Sequence, residues 1–296
     1  MHPKLPLLVD TIASSLSIMR RMPPNKIEHN LSGLLNLIPD ATEELLQRVD
    51  QPLEEAQCAT TGRKYLLCDY NRDGDSYRSP WSNTYEPALE DGDEGFQPSP
   101  ALRSMEVEAN TLYDSYREQY YEGGTSSVYL WDLDDGDSTA RGFAGCFLIK
   151  KAVAGHQYVD QGSWDSIHVV EVNETSSTMA TYKLTSTVML DMNVRKETVG
   201  DCNVAGMLTK QATKSMSFDA KVKPHVCNIG SMIEDMEIEM RSNMDNLSVA
   251  KTREIVNSIR KLGSGPDPSK QGNAFVASLG AAVASHGSKR AVDSET

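Results

Sequence analysis

Apolar positions recur at spacings of three and four through the first fifty residues, then lose their order, then return in two different rhythms. Leu8, Ile12, Leu16 and Met19 mark one amphipathic helix, and Pro23-Pro24 stops it. Ile27, Leu31, Leu34 and Leu35 mark a second, with Asn25 and Glu28 spaced as a capping pair. Pro39 breaks that helix, and Asp40 with Glu43 opens a third through Leu45, Leu46 and Val49. Three short helices with brief connections predict a small antiparallel bundle over residues 1–50.

Residues 51–100 are rich in Asp, Gly, Pro, Ser and Tyr, with turn dipeptides at Asp73-Gly74, Ser79-Pro80 and Asp91-Gly92. Between Asp69 and Glu94 there are eight acids against two bases, Arg72 and Arg78. This predicts an irregular acidic connector over the surface, pinned by Tyr70, Tyr77, Trp81 and Tyr85. Pro100 then opens a fourth helix, ended by Gly123-Gly124, with Leu102, Met105, Ala109, Leu112, Tyr113 and Tyr116 as its buried stripe.

From Ser126 to about Phe218 the period changes to two. Strands are expected from Val128 to Leu133, Phe143 to Val153, Trp164 to Val172 and Tyr182 to Leu190, with a weaker fifth at Val204 to Leu208. No helix-length segment intervenes, so the sheet should be a five-stranded antiparallel meander. After Pro224 comes the longest helical pattern: Ile229, Met232, Ile233, Met236, Met240, Met244 and Leu247, extended by Ile255, Ile259 and Leu262. Its stripe should lie across one face of the sheet, and residues 101–262 then form one α+β body.

Gly263-Ser264-Gly265-Pro266 reads as a hinge, and Phe275, Val276, Leu279, Ala282 and Val283 form a last amphipathic stripe over residues 263–296. Gly272 and Gly280 each weaken that helix by about 1 kcal/mol relative to Ala. A short isolated helix is marginal in water, so this tail should stay mobile until a groove receives its apolar face.

Charge narrows the class of partner. The 296 residues carry 29 Lys plus Arg against 42 Asp plus Glu, a formal net charge of −13. That field repels nucleic acid and acidic membranes, and the sequence shows no basic patch to offset it. The five cysteines form no CxxC pair, so neither a disulfide framework nor a zinc knuckle is implied. No signal peptide and no run approaching the roughly 18 apolar residues of a membrane span is seen, which points to a cytosolic protein.

Candidate chemistry is sparse. Asp69-Tyr-Asn71-Arg-Asp73-Gly74-Asp75 matches the first half of a calcium loop, but position twelve is Pro80 rather than a bidentate Glu. An acidic turn cluster is the better reading, and Asp132, Asp134, Asp135 and Asp137 read as a hairpin turn. Cys68 and His168 could approach in space, yet a lone His in Ile167-His168-Val169-Val170 is usually structural. There is no G-x-S-x-G, no Walker lysine loop and no G-x-G-x-x-G after a strand. No catalytic residue, metal site or cofactor is expected. The methionine-rich helix reads as core packing, and a meander with two open edges could gain a second subunit along one of them.

Longer segments carry a resemblance. Tyr65 to Asn83 (YLLCDYNRDGDSYRSPWSN), Glu106 to Asn110, Glu122 to Asp134 (EGGTSSVYLWDLD), Trp164 to Val172, Tyr182 to Leu190 and Lys251 to Asn257 resemble the F-actin-capping protein beta subunit (CapZ beta) family. The match is collinear from about Met19 to Leu262. The resemblance implies an N-terminal helical stalk, a linker, a five-stranded antiparallel sheet crossed by a long helix, and a C-terminal tentacle. It implies an obligate heterodimer with a homologous alpha subunit that caps filament barbed ends independently of calcium and blocks subunit exchange. An alternative role within the resemblance is a scaffold subunit capping the actin-related filament of dynactin. Actin would be met by the tail, through Phe275, Val276, Leu279 and Val283, and by sheet-side basic residues. Arg241 is the candidate there, beside its reading as an ordinary solvated helix charge. Capping-protein regulators would be further partners, and cortical actin patches the expected location. Asp91 to Pro98 and Asp135 to Arg141 look like insertions in surface loops.

Overall fold

The computed structural model describes residues 12, 14–20, 22–89, 95–133, 142–155, 161–196, 200–219 and 224–262. The chain divides into two units, Met1–Met244 and Asp245–Thr296, and all the side-chain packing below belongs to the first. In the second, the backbone of residues 245–262 is helical.

Residues 14–19 form α1, and Ile27–Leu37 and Thr42–Arg48 form α2 and α3. The capping pairs expected at Asn25/Glu28 and Asp40/Glu43 do not form. Pro24 and Pro39, already fixed in φ, open one-turn 3-10 helices instead, Pro24–Lys26 and Pro39–Ala41. Nor do the helices close into a bundle of their own. Ile12, Leu16, Met19, Ile27, Leu31 and Leu45 share one apolar cluster with Tyr129, Cys146, Leu148, Ile167, Met189 and Met207 of the sheet. Short helices with one narrow stripe bury more apolar area against a broad sheet than against one another.

The connector is more ordered than its composition suggests. It holds a two-stranded hairpin, β1 (Glu54–Gln57) with β2 (Lys64–Leu67), and a small three-stranded sheet of β3 (Arg72–Asp73), β4 (Ser76–Arg78) and β5 (Tyr85–Glu86). Tyr70 stacks on Trp131 with ring centroids 5.2 Å apart, and the Trp81 indole donates to the Lys64 carbonyl at 2.8 Å. Its strongest fastening is a base: the Arg78 side chain is 2% exposed and forks onto a fully buried Glu106 at 2.9 and 2.8 Å.

Glu106 lies on α4, Pro100–Tyr121, whose chain reverses at Glu122 in the left-handed region and at Gly123 and Gly124. At Gly124 a Cβ would collide with the Lys150 carbonyl oxygen, so only glycine passes so close. The buried stripe differs from the expected one. Leu102, Glu106, Ala109, Asn110, Tyr113, Arg117 and Tyr121 face inward, while Leu112 is 49% exposed.

The meander follows as expected in number and order: β6 (Thr125–Asp132), β7 (Gly142–Ala154), β8 (Gln161–Ser176), β9 (Met179–Lys196) and β10 (Gly200–Ser217), each antiparallel to the next. The last three strands run well past their apolar segments. Lys210 and Lys214, which hid the helix-facing side of β10 from an apolar count, pair at the sheet margin with Glu239 and Asp235. Those acids lie on α5, His225–Leu262, whose residues up to Met240 with α4 cover the face opposite the N-terminal helices. Ile229, Met232, Ile233, Met236 and Met240 bury the stripe there, as the spacing predicts. Side chains beyond Met244, including Leu247, Ile255, Ile259 and Leu262, lie outside the described residues.

Breaking a buried ion pair costs about 3–5 kcal/mol when the other charge is stranded, and Arg78 supplies two of the bonds to Glu106 beside those from Arg103 and the Leu130 amide. Arg78→Met should therefore lower the melting temperature sharply, and Arg78→Met with Glu106→Leu should recover part of the loss. A melting curve unchanged by Arg78→Met would show that the pair does not fasten the connector.

Candidate functional site

Backbone groups at the margins of the sheet set what this molecule can bind. β6 is one margin, and α4 closes it with side chains. Asn110 accepts from the Val128 amide and donates to the Val128 carbonyl, both at 2.9 Å. Glu106 accepts from the Leu130 amide at 2.7 Å. The β2 backbone is tied to the same strand: the Leu66 amide donates to Ser127 Oγ at 2.9 Å, and the Tyr129 hydroxyl donates to the Leu66 carbonyl at 2.7 Å.

β10 is the other margin, and among the described residues its only strand neighbour is β9. The Met207 amide turns away from β9 and donates to the Arg20 carbonyl at 3.1 Å. Because successive residues alternate, Thr209, Gln211, Thr213 and Ser215 also aim their backbone outward. Gln211, Thr213 and Ser215 are exposed. Among the described residues this is a long edge with no strand on its outer side, a form that can receive another strand.

Beneath α5 lies a second construction. Glu237 is 1% exposed and its two carboxylate oxygens take four donors. Tyr121 Oη (a short contact) and His168 Nε2 at 3.0 Å meet Oε1; Tyr116 Oη at 2.9 Å and Arg241 Nη2 at 3.0 Å meet Oε2. A carboxylate cannot donate, so His168 Nε2 carries the hydrogen. The other ring nitrogen of His168 lies 2.8 Å from the Ser186 hydroxyl. Burial alone would push the Glu237 carboxyl up; His168, Tyr121 and Arg241 outweigh it and hold it at about 2. The same burial, with Glu237 beside them, pushes both tyrosines well up, so their hydroxyls stay protonated donors.

The expected site residues can now be placed. Arg241 is tied to Glu237 and lies over the Tyr121 and Trp164 rings, 4.7 and 5.9 Å from their centroids, with its side chain 36% exposed. Phe275, Val276, Leu279 and Val283 lie outside the described residues. His168 is a structural histidine, as its setting in the sequence suggests. Cys68 packs with the Ile167 cluster on the opposite face of the sheet, so the two do not meet. Asn71, at position three of the half calcium loop, turns inward: it accepts from the Cys68 amide and donates to the Arg78 carbonyl, each at 2.9 Å. Asp132 accepts from the Ser99 amide and hydroxyl, both at 2.8 Å, and so anchors the start of α4; Asp134, Asp135 and Asp137 lie outside the described residues. Glu106, Asn110 and Glu237 escaped the sequence reading. Their signal was an acid or amide on an apolar helical stripe, four residues after Leu102, Glu106 and Ile233 respectively.

A five-stranded antiparallel meander with helices on both faces defines an α+β class of protein. The fold matches the solved structure of the homodimeric actin capping protein alpha subunit from Plasmodium berghei, with a TM-score of 0.51 and 16% identity over 88% of this chain and 99% of that one. Residues 12–256 match the family described as F-actin capping protein, beta subunit, and the chain belongs to that family. The F-actin-capping protein subunit beta of Drosophila melanogaster is 51% identical over 258 residues, 87% of this chain and 90% of its own length. That of Dictyostelium discoideum is 45% identical over 278 residues, 93% and 98%. That of Caenorhabditis elegans is 45% identical over 273 residues, 92% and 97%.

The Glu237 cluster has a pH signature. Its folded value of about 2 lies below the ordinary 4.5, so its stabilisation is complete above 4.5 and fades as pH falls from there through about 2. Denaturant titrations of Glu237→Gln should show a loss on the order of 3 kcal/mol near neutral pH, shrinking over that acid window. A deficit that does not change with pH would contradict the ionised, four-donor arrangement.

Proposed function

We propose that this chain is the beta half of a heterodimeric actin-capping protein. Its alpha partner completes the sheet along β10, and the pair seats on filament barbed ends, blocking subunit addition and loss without calcium. Membership of the beta-subunit family over residues 12–256 carries the reading. The open β10 edge supports it, because the long outward row of amides and carbonyls is best satisfied by a homologous strand. The inward-turned Asn71 supports calcium independence, since its side chain is spent on backbone groups.

Capping on this reading is steric and uses no reaction. The segment after Gly263 inserts Phe275, Val276, Leu279 and Val283 into an apolar cleft of a terminal actin subunit. Four apolar side chains at roughly 1.5–3 kcal/mol each give a gross gain comparable to the cost of ordering the tail. The body of the heterodimer therefore contributes the remainder, with Arg241 as a sheet-side contact through its solvent-facing part. The same surfaces would serve at the end of dynactin's actin-related filament, and cortical actin patches are the expected site of action.

Two measurements follow. Proline at an outward amide spares the β9 ladder and blocks only the incoming strand. Thr213→Pro should therefore leave the chain expressed but reduce co-purification with alpha several-fold, whereas full recovery of the pair would refute β10 as the joint. Ending the chain after Gly263 should keep the heterodimer folded and weaken capping at least tenfold in seeded polymerisation; undiminished capping would remove the tail from the account.

A further inference from the structure

At the start of α5, four side chains and one backbone carbonyl form a single hydrogen-bonded line across three strands. Asn228 Nδ2 donates to the Ser217 carbonyl at 3.0 Å and to the Tyr182 hydroxyl at 2.9 Å. His225 Nδ1 lies 2.8 Å from the same hydroxyl, and its Nε2 lies 3.4 Å from Glu174 Oε1. The line ties α5 to β10 through Ser217, to β9 through Tyr182 and to β8 through Glu174. Tyr182, Asn228 and His225 are all buried.

The direction of every bond follows from one end. The Ser217 carbonyl can only accept, so the nitrogen of the Asn228 amide must face it, and that nitrogen then donates to Tyr182 as well. Tyr182 has one hydrogen, and it goes to His225 Nδ1, which therefore carries none. The hydrogen of the ring sits on Nε2, towards Glu174. A proton added at Nδ1 would turn the Tyr182–His225 bond round and strand the Tyr182 hydrogen. Asn228 Oδ1 makes no hydrogen bond among the described residues, so it does not take that hydrogen up.

The surroundings also oppose the proton. The Phe218 ring stacks on the imidazole with centroids 4.2 Å apart, and the Phe143 ring of β7 meets it edge-on at 5.4 Å. His225 is the first residue of α5, where free amides and the helix dipole disfavour a cation. Glu174 of β8 is the charge acting on it and favours the proton, while burial keeps the Tyr182 hydroxyl of β9 neutral. Burial outweighs Glu174 and holds His225 below the ordinary 6.5.

We propose that His225 is an acid-operated latch on the first turn of α5: protonation at Nδ1 breaks the line at Tyr182 and frees that turn from β9 and β10. The fold favours the neutral ring, so the latch contributes fully above pH 6.5 and weakens as pH falls below it.

The test uses the full chain co-expressed with its alpha partner. Imidazole NMR at pH 7.5 should find the His225 hydrogen on Nε2, and titration should place its midpoint below 6.5. Tyr182→Phe removes the hydrogen that protonation strands, so it should move the midpoint back up; a histidine held low by burial alone would not respond. Hydrogen exchange of the Ile229 to Met232 amides, corrected for the intrinsic effect of pH, should lose protection roughly 3- to 10-fold as His225 titrates, the value of one hydrogen bond. Met236 to Met240 should keep theirs, and His225→Gln should abolish the pH dependence. A hydrogen on Nδ1 at pH 7.5, a midpoint that Tyr182→Phe leaves in place, or protection of Ile229 to Met232 that persists through the titration would each overturn the proposal.

Discussion

An antiparallel sheet ends in two rows of backbone groups that no strand of its own can satisfy, and the architecture of this protein is arranged around them. On the β6 side the row is met by side chains of α4, with Asn110 serving both groups of Val128 and Glu106 serving the Leu130 amide. At these positions the closure is internal. On the β10 side Met207 finds the Arg20 carbonyl, and the outward groups beyond it face away from the only strand neighbour among the described residues. Among the described residues the β6 row is met by side chains and the β10 row has no strand on its outer side, which is the edge our proposal gives to the alpha subunit.

Buried carboxylates are the means by which the flanking segments are held to this sheet. Glu106 receives Arg78, Arg103 and the Leu130 amide; Glu237 receives His168, Tyr116, Tyr121 and Arg241; Asp165 receives Lys150 and the Leu53 amide. Each joins elements distant in the chain. Taking a carboxylate out of water is costly unless donors occupy its lone pairs, and a pair of this kind specifies position more than it adds net stability. The connector, at Leu53 and Arg78, and the long helix are thus each tied to the sheet by a buried carboxylate.

The strand order and the buried stripe of α5 were legible because a period of two and a period of 3.6 survive in the apolar residues. The length of β10 was not, since Lys210 and Lys214 stand in place of apolar side chains and pair with Glu239 and Asp235 of α5. The inward face of α4 was misread because Glu106 and Asn110 sit where an apolar count expects gaps. The ordering of the acidic connector depends on Arg78 meeting Glu106, 28 residues later, a pairing that no local pattern announces. Arg241 stood out by its charge on the long helix, whereas its partner Glu237 was hidden by the methionines around it.

Membership of the beta-subunit family is shown, and the function we propose for it is steric, with the second chain joined along β10. The measurement closest to that claim is hydrogen exchange at the amides of Thr209, Gln211, Thr213 and Ser215 in the complex purified with its alpha subunit. The account predicts that these outward amides exchange as slowly as those of Leu208 and Ala212, which face β9. Exchange at the rate of an open loop would mean that β10 is not where the second chain joins.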